Sequence, residues 1–312
     1  MNRARQFIMV AAAGLSLVAA SCSTAGTGTA PASAKLPVAA ASEPAAPHPV
    51  NFLRESFGPD SATITNPWWP LKPGTQWIWE GTAIEGEDEI ERRVVFTVTD
   101  LTKTVAGIET IVGWDRDFTD GVLAESELIF LAQDRAGNVW HFGQQVERYD
   151  ETGELEGGRT WLVGYLADAK AGIKMKANPT PGDPVYSQGF APPPFYWDDV
   201  ARAVEIEDRM CVPVGCYDNV LIIEEFEPTK PGAKQLKYYA RGIGNIAVGW
   251  GGEAELEQEE MELTRMLTLS PAGMAEVREA ARSIETRGNV YGLTSPLRQR
   301  PAAATASPSP SP

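Results

Sequence analysis

The chain has 312 residues, of which 42 are Asp or Glu and 27 are Lys or Arg, so its formal net charge is −15. This acidity is unfavourable for contact with nucleic acids or anionic lipid surfaces, and we expect no nucleic-acid partner. The sequence contains only two histidines, which excludes a histidine-rich metal site. We expect no cofactor, with calcium as the one cation to consider.

Residues 1–21 have the layout of an export signal: two arginines, an apolar run from Phe7 to Ala20, and small residues before Cys22. The run is too short to span a bilayer. Its end, "AASC", resembles the lipobox of bacterial lipoproteins, with Ala19 where leucine is usual. The resemblance implies that acyl chains such as palmitate on Cys22 hold the protein at the cell membrane or outer membrane, facing the periplasm or the exterior. The alternative is ordinary signal cleavage in the same stretch.

Two segments of low complexity flank the central region. Residues 22–50 consist mainly of Ala, Ser, Thr, Pro and Gly, and residues 291–312 end in a Pro/Ala/Ser run. Such segments cannot bury enough apolar surface to offset the entropy lost on ordering, so we predict a flexible tether and a disordered tail. Residues 51–290 remain, which is long enough for one large β-rich domain.

The first conspicuous stretch of this domain is "NPWWPLKPGTQWIWEG", residues 66–81. Its prolines forbid regular pairing before Gly74, so we expect a stiff lead-in followed by a strand. Our interpretation is that Trp77 and Trp79 fill the concave side of a curved sheet and that Trp68 and Trp69 cover its first open end. The alternative is a stacking platform for a sugar or peptide. The candidate ligand-binding residues are then Trp68, Trp69, Trp77, Trp79 and Trp140.

Further along the chain, polar and apolar residues mostly alternate in short runs that end at Gly, Asp, Asn or Pro. The predicted fold is therefore mainly β, with one large antiparallel, strongly curved sheet or partly closed barrel, a C-terminal helix and disordered tails. The runs that carry this prediction are "RRVVFTVTD", "AGIETIVGW", "GVLAESELIFLAQD", "GNVWHFG" and "DNVLIIEEFEP".

The richest polar segment is "DRDFTDGVLAESE", residues 115–127. Asp115, Asp117, Asp120 and Glu127 could supply the carboxylate oxygens that calcium prefers. Their spacing differs from that of an EF-hand, and no helices flank them. We therefore favour a solvated hairpin tip with Asp and Gly in turn positions, and keep a calcium site as the alternative.

The same segment invites an enzymatic hypothesis. Glu125 and Glu127 share a strand face and lie roughly 7 Å apart, which suggests the acid and nucleophile of a glycosidase. With Asp117 and Asp134 they could form a carboxylate-based hydrolase site. Carboxylates on an exposed face would give the same sequence pattern, so we do not expect an enzyme.

The domain contains one histidine, His141, in "NVWHFG". It shares a strand face with Val139, opposite Trp140 and Phe142. We expect a partly exposed strand histidine, and the alternative is a catalytic base.

The loop "GDPVYSQGFAPPPFYWDD", residues 182–199, contains three consecutive prolines followed directly by three consecutive aromatic residues, Phe195, Tyr196 and Trp197. Prolines make such a loop stiff and extended. We interpret it as a braced crossover between strands, with a lid or partner surface as the alternative.

The two remaining cysteines, Cys211 and Cys216, flank a Pro-Val-Gly turn between strands. Their sulfurs therefore face each other across a hairpin, and export would allow a disulfide to form. A redox pair or a metal site is disfavoured because the spacing is not C-x-x-C and no second cluster exists. Closing so short a loop is worth about 2 kcal/mol in the chain-entropy model.

The domain ends with a glutamate-rich segment and a helix. From residue 253 glutamates alternate with apolar residues and the phase then flips, which predicts a strand with a bulge near Glu259 and Glu260; a helix is the alternative. Residues 271–287 are predicted to be helical, with Ser270 as the cap, Pro271 in the first turn and Gly288 at the end.

Several motifs occur in a recognisable order: "NPWWPLKPGTQWIWEG", "AQDRAGNVWHFG" and "KYYARGIGNIAV". In this order they resemble a group of uncharacterised exported bacterial proteins, over the range 66–262. The chain departs from the pattern at Gln144, where glutamate is usual, and at residues 129–131. The resemblance implies export and no particular reaction. A looser similarity to half-barrel lipoproteins implies a curved sheet and a helix around an apolar cavity.

Two hypotheses follow. The first is a membrane-anchored envelope protein with a binding or structural role, whose concave sheet accepts an apolar or glycan ligand or a protein partner. The second is an envelope hydrolase that acts through carboxylates, with or without calcium. Burial of the acids together in a cleft would favour the second, and a tryptophan-lined cavity the first.

Overall fold

The computed structural model describes residues 52–165 and 168–300, so the predicted signal, Cys22, the tether and residues 301–312 lie outside the described residues. A short 3-10 helix, Arg54–Ser56, precedes the strands. The strands are β1 (Thr75–Glu85), β2 (Asp88–Val105), β3 (Ile108–Thr119), β4 (Val122–Gln133), β5 (Val139–Tyr149), β6 (Leu155–Leu162), β7 (Lys170–Met175), β8 (Tyr186–Ser187), β9 (Gly189–Phe190), β10 (Val200–Val212), β11 (Gly215–Phe226), β12 (Lys234–Ala240), β13 (Gly244–Gly251), β14 (Glu257–Thr268) and β15 (Arg298–Gln299).

The strands form one antiparallel sheet that curves into a nearly closed barrel, which confirms the predicted fold class. The order around it is β8-β10-β11-β12-β13-β14-β1-β2-β3-β4-β5-β7-β9, with β6 and β15 as side branches on β5 and β2. Because β8 and β9 are joined through Gln188, the two edges of the sheet meet at this residue. Gly172 permits the approach, since a Cβ there would lie 2.1 Å from the carbonyl carbon of Gln188.

The inner face of the barrel carries a tryptophan-rich core. Trp77 and Trp79 of β1 pack there with Phe96, Ile111 and Leu131. The indole N–H of Trp77 donates to the carbonyl of Ile243 at 2.9 Å, and that of Trp79 to Asn245 at 3.2 Å. The interpretation that these two side chains fill the concave side of the sheet is therefore confirmed.

The segment before β1 closes one end of the barrel. Trp68 is buried there, while Trp69 is half-buried. The Asn66 side chain accepts hydrogen bonds from the backbone N–H groups of Trp68 and Trp69 at 2.8 and 3.1 Å, and donates to the carbonyls of Gly137 and Lys176. We call this the plugged end. The opposite end, where the β1–β2 and β3–β4 turns lie, is called the hairpin end.

A second core lies on the outer face of β2, β4 and β5, where helix α1 (Pro271–Arg287) packs. Ser270 caps the helix by accepting from the Gly273 N–H, and Met274, Val277, Ala281 and Ile284 are buried. The predicted helix is thus confirmed, as packing on the sheet. Among the described residues, no helix combines the length and apolarity needed to cross a bilayer.

Two details differ from the sequence-based expectations. Residues 257–268 form a strand, but its irregularity lies where Ile78 pairs with Arg265 and Trp79 with Leu263, and not near Glu259. Glu259 instead keeps the inward phase of Met261, because an ion pair with Arg92 compensates its burial. The chain also remains ordered beyond residue 291, since β15 pairs with β2 and anchors this part of the predicted tail.

The hairpin formed by β10 and β11 contains the predicted disulfide. Cys211 and Cys216 are directly paired across the two strands and their sulfurs are bonded. The disulfide therefore fixes the turn at the tip of this hairpin, as the short loop predicts.

Candidate functional site: a charged layer inside the barrel

Charged side chains cover the inner face of the barrel toward its hairpin end. On β3 and β4 the register pairs Asp115 with Glu127 and Asp117 with Glu125. Because residues two apart on a strand share a face, these acids lie on the same side as the buried Ile111. We call the whole set the charged layer. Its members are Arg92, Asp115, Asp117, Glu125, Glu127, Lys174, Gln188, Glu225, Gln235, Lys237 and Glu259.

The acids of β3 and β4 strongly affect one another. Desolvation by burial raises the pKa of Asp115 to about 6, and the negative charge of Glu125 adds to this effect. Burial, with the charges of Asp115 and Glu125, also raises the pKa of Asp117 well above its usual value. The pKa of Glu127 rises likewise, through burial and then a hydrogen bond to Glu125. These side chains keep some accessible surface, but the protein surrounds them, so desolvation dominates.

Basic groups only partly compensate the acids. The Arg92 guanidinium lies 3.1 Å from Glu259 Oε1 and donates to Thr119 at 2.8 Å, and its charge also acts on Asp117. Gln235 donates to the second oxygen of Glu259 at 2.8 Å. A cavity of about 180 Å³ opens beside these groups. It is lined by Lys234, Gln235, Trp250, Glu255, Glu257 and Glu259.

Across the barrel, Lys174 of β7 forms a second polar group with Gln188 and Glu225. The Lys174 ammonium lies 3.2 and 3.3 Å from the two Glu225 oxygens and 3.0 Å from Gln188 Oε1, and Gln188 donates to Glu225 at 2.6 Å. Burial acts to raise the pKa of Glu225, but Lys174 and Lys237 outweigh it and hold the pKa below its usual value. Lys237 also acts on Asp115 and so connects the two halves of the charged layer.

His141 lies beside this group and is fully buried, so the expectation of a partly exposed histidine is wrong. The rings of Trp161 and Trp197 each lie 5.0 Å from its ring. Burial, reinforced by the charge of Lys174, lowers the pKa of His141 to about 3. The imidazole is therefore neutral at physiological pH. Its Nε2 bonds the Gly143 carbonyl at 3.1 Å.

The structure separates the predicted acidic residues. Asp115, Asp117 and Glu127 lie together inside the barrel, whereas Asp120 is in the β3–β4 turn and accepts from the Glu91 N–H. Asp134 binds Asn138 and the Trp140 indole around the β4–β5 turn, away from the charged layer. Within residues 52–165 and 168–300, no group of three or more His, Cys, Asp or Glu has an arrangement suited to a metal ion.

The candidate ligand-binding tryptophans are mostly enclosed by protein. Trp68, Trp77 and Trp79 belong to the inner core, and Trp140 lies in the outer cluster. Trp69 is half-buried and stacks on Phe96 at 6.0 Å. A ligand would have to displace these packing contacts to reach an indole face.

Several members of the charged layer were not identified from the sequence, notably Arg92, Lys174, Glu225, Lys237 and Glu259. One signal could have identified Glu225, because it continues the alternation of the inward-facing Leu221 and Ile223. A charged residue in phase with buried apolar residues is a candidate for a functional site.

The raised pKa values predict an unusual dependence of stability on pH. An acid whose pKa is higher in the folded state than in the unfolded chain stabilises the fold below its unfolded pKa, and this contribution is lost as the pH rises through the folded value. Relative to the wild type, Glu127→Gln is therefore expected to gain stability as the pH rises from about 5 to about 8. His141 has the opposite effect on stability, because its pKa is lowered and its stabilising contribution is lost as the pH falls. Both proteins retain His141, so this effect cancels in the comparison.

Urea unfolding at both pH values measures this difference. Glu276→Gln, at an exposed position on α1, is the matched control. Its free energy of unfolding should change between the two pH values by the same amount as that of the wild type. A stability difference between Glu127→Gln and the wild type that is the same at both pH values contradicts the raised pKa of Glu127.

Comparisons with known proteins add only distant likenesses. No family model matches the chain, and no curated protein matches it. Among solved structures, the chain is similar to a candidate lipoprotein from Parabacteroides distasonis ATCC 8503, at a TM-score of 0.34 and 12% identity over 64% of this chain and 97% of the other. It is also similar to a candidate exported protein with a YmcC-like fold from Bacteroides fragilis NCTC 9343, at a TM-score of 0.34 and 11% identity over 64% and 98% of the two chains. Similarity at this level does not establish a shared topology.

Proposed function

We propose that this protein is an exported lipoprotein of the cell envelope whose barrel binds a polar ligand at its hairpin end. The observation that carries the proposal is the charged layer on the inner face of the barrel. Burying charges costs several kcal/mol per ion, and apolar side chains would fill the same space at lower cost. Perturbed, clustered ionisable groups of this kind are concentrated at functional sites.

The position of the charged layer also favours one class of ligand. The tryptophan core occupies the barrel toward the plugged end, whereas the charged layer lies toward the hairpin end, beside the cavity that Gln235 and Glu259 line. Carboxylates and amide oxygens there accept hydrogen bonds from O–H and N–H groups. A glycan fits this chemistry better than an apolar ligand.

Native mass spectrometry tests the binding function. The mature chain with Cys22→Ser, expressed with its export signal, is expected to carry a co-purified polar ligand. The ligand should be lost from the double variant Asp117→Asn/Glu127→Gln and retained by the exposed control Glu276→Gln/Glu279→Gln. A bare mass for the parent chain, or an identical adduct on all the variants, contradicts the proposal.

Lipid attachment is tested separately. In the full-length protein, Cys22→Ser is expected to move the chain from the membrane fraction to the soluble fraction, because acyl chains contribute about 0.8 kcal/mol per buried CH₂. Cys211→Ser is the control, since that cysteine forms the internal disulfide, and it should remain with the membrane. Membrane retention of Cys22→Ser, or an unmodified mass for the wild type, contradicts lipidation.

A second candidate function is a carboxylate-based hydrolase, favoured by the hydrogen bond between Glu125 and Glu127 and the raised pKa of Glu127. A protonated carboxyl group beside an ionised one can act as a general acid. Hydrolysis of chromogenic glycosides that is abolished by Glu127→Gln would support this function. Ligand binding without hydrolysis of any glycoside tested would reject it.

A further inference from the structure

We propose that Lys174, Gln188 and Glu225, together with His141 and Tyr186, form a subsite that binds a hydroxyl group of a neutral sugar or other polyol. We call these residues the Lys174 subsite. The inference rests on the proposed binding function and specifies the chemistry of the ligand.

Unused hydrogen-bonding capacity is the first line of support. Within the described part of the chain, the Tyr186 hydroxyl and the His141 Nδ1 are buried and have no hydrogen-bond partner, and the same holds for the indole N–H of Trp161. Leaving such a group unpaired costs about 1–3 kcal/mol. Because Nε2 of His141 bonds the Gly143 carbonyl as a donor, Nδ1 is an acceptor. The set therefore offers two donors and one acceptor.

A hydroxyl group can pair with any of these three groups, because it accepts through two lone pairs and donates one proton. An ammonium group has no lone pair to accept from Tyr186, and a carboxylate has no proton to donate to His141. Burial, together with the negative charge of Glu225, raises the pKa of Tyr186, so its hydroxyl keeps the proton that it would donate.

Charge balance is the second line of support. Lys174 and Glu225 form an ion pair, and the neutral His141 and Tyr186 each lie within electrostatic range of one member of it. The other ionisable groups facing the pair are Asp199, Lys237 and Tyr239. A charged ligand would disturb this balance, and its desolvation would cost far more than that of a neutral polar ligand.

Aromatic surface and access complete the argument. Trp197 is half-buried, and its ring stacks on Trp161 at 5.3 Å beside His141. Such rings give the apolar C–H face of a sugar a surface to pack on, next to the polar groups that bind its hydroxyls. The Lys174 side chain keeps 24% of its surface exposed, so this member of the subsite is accessible to a ligand.

The test titrates glucose, galactose and N-acetylglucosamine into the mature Cys22→Ser chain and follows the His141 ring nitrogens by NMR. At least one sugar is expected to cause a saturable shift of Nδ1. Tyr186→Phe should weaken that binding by about 2–10-fold, the value of one neutral hydrogen bond, without loss of stability. The matched control is Tyr165→Phe at an exposed tyrosine, which should bind as the parent chain does.

The absence of a saturable shift with all three sugars overturns the inference. Equal affinity of Tyr186→Phe and the parent chain also overturns it, because the Tyr186 hydroxyl would then not contact the sugar. Both results are distinguishable from failure of the proposed function. If the proposed function fails, native mass spectrometry shows no ligand whose binding depends on Asp117 and Glu127, regardless of the NMR result for sugars at His141.

Discussion

Replacing Trp77 with alanine is expected to lower the free energy of unfolding by about 3–5 kcal/mol. The side chain is 1% exposed, its indole N–H donates to the Ile243 carbonyl, and its ring lies 6.0 Å from that of Phe96. The substitution removes these contacts and leaves a cavity that rigid strands can only partly close. Chemical denaturation monitored by circular dichroism measures the loss.

The control for this prediction is Trp250→Ala, because Trp250 is half-buried at the cavity of the hairpin end. It should cost clearly less stability than Trp77→Ala. If Trp77→Ala instead keeps its stability and loses a ligand, the inner tryptophans act as a binding platform and our assignment of them to the core is wrong.

Removing the charge of Lys103 is expected to have a comparably large effect. Its ammonium lies 2.8 Å from Glu285 Oε1 in a buried ion pair that joins β2 to α1. Glu285 also accepts from the backbone N–H of Leu297 at 3.0 and 3.1 Å. Lys103→Met leaves this carboxylate buried without its counter-charge, which costs about 3–5 kcal/mol. Thermal or urea unfolding of the variant checks the value.

Two further variants make this prediction specific. Adding Glu285→Gln to Lys103→Met removes the unpaired charge and keeps an acceptor for the Leu297 N–H, so part of the lost stability should return. The exposed pair Lys230–Glu227, at 3.0 Å, serves as the matched control, and Lys230→Met should change stability by less than about 1 kcal/mol. Equal losses for Lys103→Met and Lys230→Met contradict the prediction.

Much of the fold could be predicted from local patterns. Alternation along the strands, the cap and apolar spacing of α1, and the cysteines beside a short turn each depend on a few neighbouring residues. The lead-in with Trp68 and Trp69 was also predictable, because prolines exclude it from the sheet and large aromatic rings need cover.

The site was less predictable because its members are distant in sequence. Lys174 contacts Glu225 only because the sheet curves until β7 and β11 face each other, and curvature is not encoded in any single strand. The acids of β3 and β4 illustrate the same limit. Alternation places Asp115 and Asp117 on one face but does not say whether that face is solvated, and the expectation of a solvated hairpin tip holds for Asp120 alone.

The closure of the barrel at Gln188 has a mechanical consequence. The strands that meet there, β8 and β9, are two residues long, so backbone ladders contribute little at this seam. The Gln188 side chain accepts a hydrogen bond from Lys174 and donates one to Glu225. These side-chain contacts therefore hold the two edges of the sheet together. A ligand that binds these side chains more tightly when the seam is closed must also stabilise the closed seam, since such linkage is reciprocal. The fraction of protein with bound ligand and the free energy needed to open the seam would then increase and decrease together.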